Sequence, residues 1–149
     1  MAADTRVSLE DSGLSYPAVK IFRIGTSLFG TAGHGTMCLV MIEWLKTQRN
    51  RDRLYKQWAD YEREQIWLLE LNPSGIYLWD GWGVPEKVLR KTFAVGSGAK
   101  SALTLLDKGE TPEEAVKGAS DHDIYTHAPV QVEYLLPPEL AKRSRRKRG

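Results

Sequence analysis

The stretch FAVGSGAKSALTLLDKGETPEEAVKGASDHDIYTHAPVQVEYL, residues 93–135, decides the fold. An apolar run at Phe93–Val95 leads into a Gly-Ser-Gly turn, from which a helix follows. Residues 111–114 (TPEE) form a helix start, because Thr is a good N-cap, Pro suits the first helical position and the second Glu closes a capping box. An apolar strand ends the stretch. The pattern therefore predicts strand, turn, two helices and strand in this order.

The residues ahead of this stretch predict strands on either side of a helical region. Alternating apolar positions favour strands, and apolar residues three or four positions apart favour helices. We expect a strand over 2–8, a hairpin of 18–24 with 27–32, helices over 36–48 and 49–64, and a hairpin of 65–71 with 76–79. This order favours an α+β protein in which two antiparallel sheets lie between helices.

Charge is distributed unevenly along the chain. The 149 residues include 42% hydrophobic ones, enough for one folded domain, which we expect over residues 1–140. The last nine residues, AKRSRRKRG, hold six of the 21 Lys and Arg and none of the 19 Asp and Glu. We expect a disordered basic tail over 141–149, which either only solubilises the protein or contacts nucleic acid through Lys142–Arg148.

Cysteine and histidine usage narrows the class of protein. Cys38 is the only cysteine, which excludes an internal disulfide and a CxxC metal site and fits a reducing compartment. The histidines, at 34, 122 and 127, lack the spacing of a zinc site, and no Gly-rich phosphate motif opens a helix. Neither a secretory signal nor an apolar run of roughly 20 residues is present. We expect a cytoplasmic protein with no membrane partner and no required cofactor.

Several motifs recur in a recognisable order. Asp4 lies in ADTR, Lys20 follows it by sixteen positions in VKIFRI, and Gly33 follows FGTA. The GSG turn at 96–98 and the closing DHDIYTHAPVQVEYL at 121–135 come next. In this order and spacing the motifs resemble proteasome β-subunits of the N-terminal nucleophile hydrolase superfamily, and the closing stretch is most similar to the HslV peptidase. The resemblance covers nearly the whole chain and points to a short bacterial or phage-type member.

The resemblance implies a four-layer αββα sandwich and peptide-bond hydrolysis by an N-terminal threonine. Lys20, oriented by Asp4, would stabilise the attacking alkoxide and tune the chain's own amine. Gly33 would donate its N–H to the oxyanion, Ser97 would support the amine, and Asp121 would belong to the same site. From the residues alone, an ion pair of Asp4 with a neighbouring Arg and a plain turn role for Ser97 remain alternatives.

The resemblance also implies partners and a cation. We expect a homo-oligomer, in the form of a ring, with a peptide substrate and an ATPase partner. A structural monovalent or divalent cation would be held by the backbone carbonyls of Ser120, Asp123 and Thr126.

The start of the chain departs from the family pattern. In the family the nucleophilic Thr stands one strand and a turn ahead of the Asp, whereas Asp4 lies three residues after Met1. We therefore expect the first strand and the nucleophile to be missing from residues 1–149. One interpretation is a start at an internal methionine of a longer reading frame; the other is a non-catalytic structural or interaction homologue. Either way, we expect lower stability than in a form extended at its N-terminus.

Overall fold

A computed structural model describes residues 1–8, 14–47, 50–57, 66–126 and 129–136. Within these ranges the chain forms nine strands and four helices. The strands are β1 (Ala2–Asp4), β2 (Arg6–Ser8), β3 (Ser15–Pro17), β4 (Ile21–Ile24), β5 (Ser27–Gly33), β6 (Ile66–Asn72), β7 (Gly75–Trp79), β8 (Pro85–Val88) and β9 (Val130–Val132). The helices are α1 (Gly35–Thr47), α2 (Arg51–Gln57), α3 (Ala99–Asp107) and α4 (Pro112–Ser120).

Five strands form one antiparallel sheet in the order β4-β5-β6-β7-β8. Both predicted hairpins are confirmed, and each turns at a glycine in the left-handed region, Gly25 (φ 62) and Gly75 (φ 134). Along β6, Ile66 and Leu68 are buried on the face that packs against α1, while Leu69 alternates to the opposite face. Because both faces of this strand carry apolar side chains, the sheet has to be covered on both sides.

Glu70 is the one charged residue that is buried within the described ranges. Its carboxylate accepts hydrogen bonds from Ser27 Oγ (2.7 Å), Asn72 Nδ2 (2.8 Å) and Trp79 Nε1 (2.8 Å). Three hydrogen-bond donors satisfy the carboxylate of Glu70. Its burial is therefore accounted for by a structural role and does not indicate a catalytic one.

The second face of the sheet is covered by short strand pairs and two helices. β1 pairs with β9, β2 pairs with β3, and α4 packs on β1 and β9. Gln131 in β9 ties this layer to β4: its Oε1 accepts from the N–H groups of Lys20 and Ile21, and its Nε2 donates to the Ile21 carbonyl. The order is α1, five-stranded sheet, strand pairs, then α3 and α4. The predicted α+β sandwich with four layers, αββα, is confirmed.

The predicted helix start at Thr111 is confirmed, whereas two strand predictions differ from the structure. The capping box at Thr111 is confirmed, because Thr111 Oγ1 accepts from the Glu114 N–H and the Glu114 side chain accepts from the Thr111 N–H. Residues 2–8 form two strands with a break at Thr5, since Thr5 N–H donates to Pro129 and Thr5 C=O accepts from Ala18. Strand β8 was not predicted: it is an edge strand that begins with Pro85, and proline and charged residues are tolerated at an edge.

The strand expected at Phe93–Val95 is wrong. The backbone of these three residues makes no hydrogen bond to any part of the chain that the structure describes. Apolar composition favours a strand, but a strand forms only where a partner edge completes it. The expected tail at 141–149, the end of the helix over 49–64 and His127 lie outside the described residues. Among the described helices none is long and apolar enough to span a bilayer.

Candidate active site

A groove with a cavity of about 300 Å³ lies between the five-stranded sheet and helices α3 and α4. Its floor is formed by β5, β6 and β7, including Gly30 and Leu69, and its roof by small side chains such as Ala102 and Ala115. Residues 1–4 and 92–98 also line it. Most of the lining is apolar, so polar groups that reach it are candidates for chemistry.

Lys20 and Asp4 form an ion pair on one wall of the groove. Lys20 Nζ lies 2.9 Å from Asp4 Oδ1 and 3.0 Å from Oδ2, and both side chains line the groove with about a fifth of their surface exposed (20% and 17%). Asp4 Oδ1 also accepts from the Arg6 N–H at 2.9 Å. The Arg6 guanidinium donates to the Ile124 carbonyl instead, so the alternative of an Asp4–Arg6 ion pair is wrong. Asp4 therefore orients the ammonium group of Lys20.

Ser97 and Thr126, which also line the groove, share one carboxylate. Both hydroxyls donate to Asp123 Oδ2 at 2.6 Å, and the Tyr125 N–H donates to Asp123 Oδ1 at 3.1 Å. Burial raises the pKa of Asp123, but these hydrogen bonds and the charge of Lys20 outweigh burial and lower the pKa below its ordinary value. Asp123 is therefore a stable anion that fixes two hydroxyls at the groove.

Gly98 lies directly against this cluster. A Cβ at Gly98 would lie 2.7 Å from Thr126 Oγ1, closer than real Cβ atoms come, and 3.3 Å from Asp123 Oδ2, which is tight. The GSG turn thus brings backbone against the hydroxyl cluster, and a larger residue at this position would have to displace it. A plain turn role for Ser97 explains the two glycines that flank it. It does not explain the hydrogen bond that the Ser97 hydroxyl donates to Asp123.

Gly33 ends β5 at the groove with a left-handed φ of 99°. Ala32 precedes Gly33 in β5, and a Cβ built on Gly96 would lie 3.5 Å from Ala32 Cβ. The GSG turn and the end of β5 are therefore within contact distance of each other. Gly33 lines the same groove as Lys20 and Ser97. Its role as an oxyanion donor stays a prediction.

Cys38 is the nucleophilic residue that burial makes inert. Its Sγ donates to the Ala32 carbonyl, and burial raises the pKa of the thiol to about 11 despite that hydrogen bond and the charge of Lys20. A thiol with this pKa is almost entirely protonated at neutral pH. Cys38 is a core residue of α1.

The predicted site residues separate into two groups. Asp4, Lys20, Gly33 and Ser97 line one groove. Asp121 is the exposed C-cap of α4, and its side chain makes no hydrogen bond or ion pair within the described ranges. Ser97 donates its hydrogen bond to the carboxylate of Asp123. From the sequence, Asp123 is expected only to bind a cation through its backbone carbonyl. The three-residue spacing from Asp123 to a hydroxyl residue at 126 was the available signal.

The expected cation site stays a prediction. The Asp123 carbonyl already accepts from the Thr126 N–H at 3.1 Å. Among the residues described, no three His, Cys, Asp or Glu side chains cluster as metal ligands.

The four layers and the groove define the sandwich fold of the N-terminal nucleophile hydrolases, and solved structures bear this out. The chain is similar to Thiobacillus denitrificans BPH, with 22% identity, 91% of this chain and 92% of that chain covered, and a TM-score of 0.67. BPH in complex with epoxomicin gives a TM-score of 0.66 over the same shares. Eukaryotic HslV from Trypanosoma brucei has 22% identity, covers 89% and 90% of the two chains and gives a TM-score of 0.65.

These likenesses identify the fold of this chain as that of HslV and proteasome β-type proteins. The resemblance stated from the sequence is therefore confirmed for the fold. No family model matches the sequence, and a search of curated proteins finds no match.

Proposed function

We propose that the groove is the active site of a threonine-type peptidase whose nucleophile lies outside residues 1–149. The observation that carries the proposal is the convergence of the Lys20–Asp4 pair and the Ser97–Asp123 pair on one apolar groove. An oriented ammonium group beside a fixed hydroxyl is what an N-terminal nucleophile needs, because its hydroxyl must lose a proton and its amine must stay in place.

Each group has a definable task in peptide-bond hydrolysis. The Lys20 ammonium lowers the free energy of the alkoxide that attacks the carbonyl carbon, and Asp4 keeps the ammonium oriented. The amine of the terminal residue takes the hydroxyl proton and returns it to the leaving amine as the C–N bond breaks. Ser97, held by Asp123, hydrogen-bonds that amine, and the Gly33 N–H stabilises the oxyanion. Water then attacks the resulting ester and releases the second product.

The hydroxyl and thiol groups near Lys20 within the described ranges are all engaged. Thr31 Oγ1 donates to the Lys20 carbonyl at 3.3 Å, and the Ser97 and Thr126 hydroxyls donate to Asp123. The Cys38 thiol is protonated and buried. These engagements support a nucleophile that is brought into the groove from elsewhere.

An N-terminally extended protein tests the proposal. We expect a version that carries a Thr-led strand ahead of Met1, freed to expose the Thr amine, to cleave a fluorogenic peptide. Lys20→Ala in that version should lower kcat/KM by about 100-fold or more, the order of losing an electrostatic stabiliser. Lys46→Ala is the matched control, because Lys46 lies on α1 and pairs with Glu43. Absence of cleavage, or equal rates for both variants, would refute the peptidase.

A non-catalytic interaction protein of the same fold is the second candidate. The engaged hydroxyls that the structure describes near Lys20 also fit this candidate, because an interaction protein needs no nucleophile. The DNA upstream of Met1 separates the two candidates. An in-frame strand that begins with Thr, Ser or Cys favours the peptidase, and a stop codon directly upstream favours the interaction protein.

The remaining expectations are part of the same proposal. The HslV-like fold supports self-association into a ring and an ATPase partner, which sedimentation and co-purification test. The single cysteine, Cys38, supports a cytoplasmic location, which cell fractionation tests. Contact of the tail with nucleic acid predicts a salt-dependent mobility shift that disappears on deletion of residues 141–149.

A further inference from the structure

We propose that Gln131 is a positioning residue for Lys20: its side-chain amide fixes the Lys20 backbone at the place from which the ammonium group reaches Asp4. The inference rests on the proposed function for the task that Lys20 performs in catalysis. The positioning itself is a property of the 149-residue protein and is measured without any catalysis.

The two members of the ion pair belong to different sheets. Asp4 ends β1, which is paired with β9, whereas Lys20 directly precedes β4, the end strand of the five-stranded sheet. The Lys20 carbonyl accepts hydrogen bonds from the Thr31 N–H (2.9 Å) and from Thr31 Oγ1 (3.3 Å), which attach the Lys20 backbone to β5. The 2.9 Å distance between Lys20 Nζ and Asp4 Oδ1 therefore depends on how the two sheets are held against each other.

Gln131 connects the two sheets through the edge of β4. The Ile21 N–H donates to Gln131 Oε1 at 2.9 Å, and the Ile21 carbonyl accepts from Gln131 Nε2 at 2.9 Å. This two-way exchange is the pattern of a hydrogen-bonded pair in an antiparallel ladder, here completed by a side chain. The same Oε1 accepts from the Lys20 N–H at 3.0 Å. Ile21 is only 3% exposed, so loss of these partners would cost free energy.

The register of β9 places Gln131 beside Asp4. Gln131 lies opposite Ala3 in β1, and Val130 lies opposite Asp4. One short pair of strands thus carries both the amide that binds the Lys20 backbone and the carboxylate that binds the Lys20 ammonium. Lys20 is held at both ends of a flexible side chain, so other placements of its ammonium are disfavoured before a reaction begins.

Glutamine is the side chain that fits this place. Ile21 presents one donor and one acceptor, and a side-chain amide offers one group of each kind. A carboxylate has no donor for the Ile21 carbonyl, and Asn is shorter than Gln by one carbon–carbon bond of about 1.5 Å. The three hydrogen bonds of Gln131 are 2.9–3.0 Å long, so an amide drawn back by that length would lose them.

A second tie joins the same two layers two residues further along β4. Arg23 Nη2 donates to Glu133 Oε2 at 3.2 Å and to the Tyr134 carbonyl at 2.7 Å. These bonds do not involve Lys20 or Ile21. Removal of the Arg23 side chain weakens the contact between the layers without releasing the Lys20 backbone, which makes Arg23→Ala the matched control.

The test measures how accessible Lys20 Nζ is to an amine reagent. The 149-residue protein is treated with a limiting amount of N-hydroxysuccinimidyl acetate, and acetylation of each lysine is followed by peptide mass spectrometry. An ammonium bound to a carboxylate must leave it before its lone pair can react, so Lys20 should react slowly in the parent. Gln131→Met keeps the length of the side chain and removes the hydrogen bonds, and it should raise the Lys20 rate by about fivefold or more.

Two comparisons make the acetylation result specific. Lys46, which pairs with Glu43 on α1, is the internal reference and should react at the same rate in every folded variant. Arg23→Ala should leave the Lys20 rate within about twofold of the parent. An unchanged Lys20 rate in a folded Gln131→Met protein, or an equal rise in Arg23→Ala, would contradict the positioning role.

Gln131→Asn repeats the test with a more conservative change. It keeps the amide and should raise the Lys20 rate in the same direction, so it decides the matter if Gln131→Met does not fold. Failure of both variants to fold would mean that Gln131 supports the fold as a whole, and the specific role would be abandoned.

Kinetics of the N-terminally extended protein connect the positioning to catalysis. Gln131→Met should lower kcat by about tenfold or more and leave KM within about twofold, because a misplaced ammonium affects the reacting state and not substrate binding. Arg23→Ala should change neither constant. Lys20→Ala should cost less in the Gln131→Met background than in the parent, since both changes remove the same interaction.

The two experiments fail separately. An unchanged kcat in Gln131→Met would overturn the catalytic part of the inference. An extended protein that cleaves no peptide would overturn the peptidase, whereas the acetylation rates would still decide whether Gln131 positions Lys20.

Discussion

The two halves of this molecule are stabilised in different ways. In the packed half, made of β4–β8 and α1, large side chains are fully buried, among them Phe29, Met41 and Leu68. In the open half, made of β1, β9, α3 and α4, the fully buried cluster among the described residues is Ala102, Ala115 and Ala119, with partly buried residues packed against it. The second half is held by polar ties such as Gln131 to Ile21, and it contains the groove. The large buried side chains are therefore concentrated in one half, and the groove lies beside the half that is packed with small ones.

The largest effect is expected from a cavity in the packed half. Leu68 is completely buried in β6, so Leu68→Ala should lower the free energy of unfolding by about 2–5 kcal/mol. Leu106→Ala is the matched control in the open half, since Leu106 is half-buried and already borders the groove. It should cost at least about 1 kcal/mol less, measured by urea denaturation. Equal losses would mean that the two halves are packed alike.

A smaller effect is expected from Gly98→Ala in the open half. The added Cβ would lie 2.7 Å from Thr126 Oγ1, so the Asp123 hydroxyl cluster has to shift, at about 1–3 kcal/mol. Gly35→Ala is the control, because its Cβ would meet nothing closer than 4.0 Å. The measurement is thermal unfolding of both variants. A Gly98→Ala protein as stable as Gly35→Ala would show that the cluster is not rigidly held.

The N-terminal cap of α4 tests whether the two halves unfold independently. Thr111→Ala removes the capping box and should cost about 1 kcal/mol. Hydrogen exchange should accelerate over residues 112–120, which form the roof of the groove, and stay unchanged in α1. Thr104→Ala on the exposed side of α3 serves as the control. Faster exchange in both halves would indicate that they unfold together.

The smallest effect concerns acid. The pKa of Asp123 is lowered in the folded protein, so its contribution to stability is complete above its unfolded pKa of about 3.9 and is lost as pH falls through the folded pKa. Asp123→Asn should flatten this part of the profile between about pH 5 and pH 2. Asp121→Asn, at an exposed side chain without described partners, should leave it unchanged. Identical profiles of stability against pH for the parent and Asp123→Asn would show that the Asp123 carboxylate does not contribute to the pH dependence.

The sequence predicted the elements whose causes are local. The Thr111 capping box, the Gly25 and Gly75 hairpins and the apolar spacing of α1 depend on residues a few positions apart, and all three are confirmed. The motif order also placed Lys20 next to Asp4, although Asp4 lies in β1 and Lys20 lies just before β4.

Features that depend on long-range partners could not be read from the sequence. Phe93–Val95 has the composition of a strand but lacks a partner edge, and composition does not report partners. Asp121 and Asp123 are two positions apart in one loop, and only the turn after α4 decides that Asp123 faces Ser97. The triple use of Glu70 as an acceptor depends on side chains from three strands or turns.

Met1 gives the groove an adjustable depth. Its thioether lies over Gly30, where a Cβ on the glycine would come within 3.1 Å of Sδ. A flexible, polarizable side chain fills an irregular space well. Oxidation of Met1 would place a polar sulfoxide at the same spot. Two preparations that differ by one oxygen atom would therefore offer differently shaped grooves, and intact mass should accompany every binding measurement.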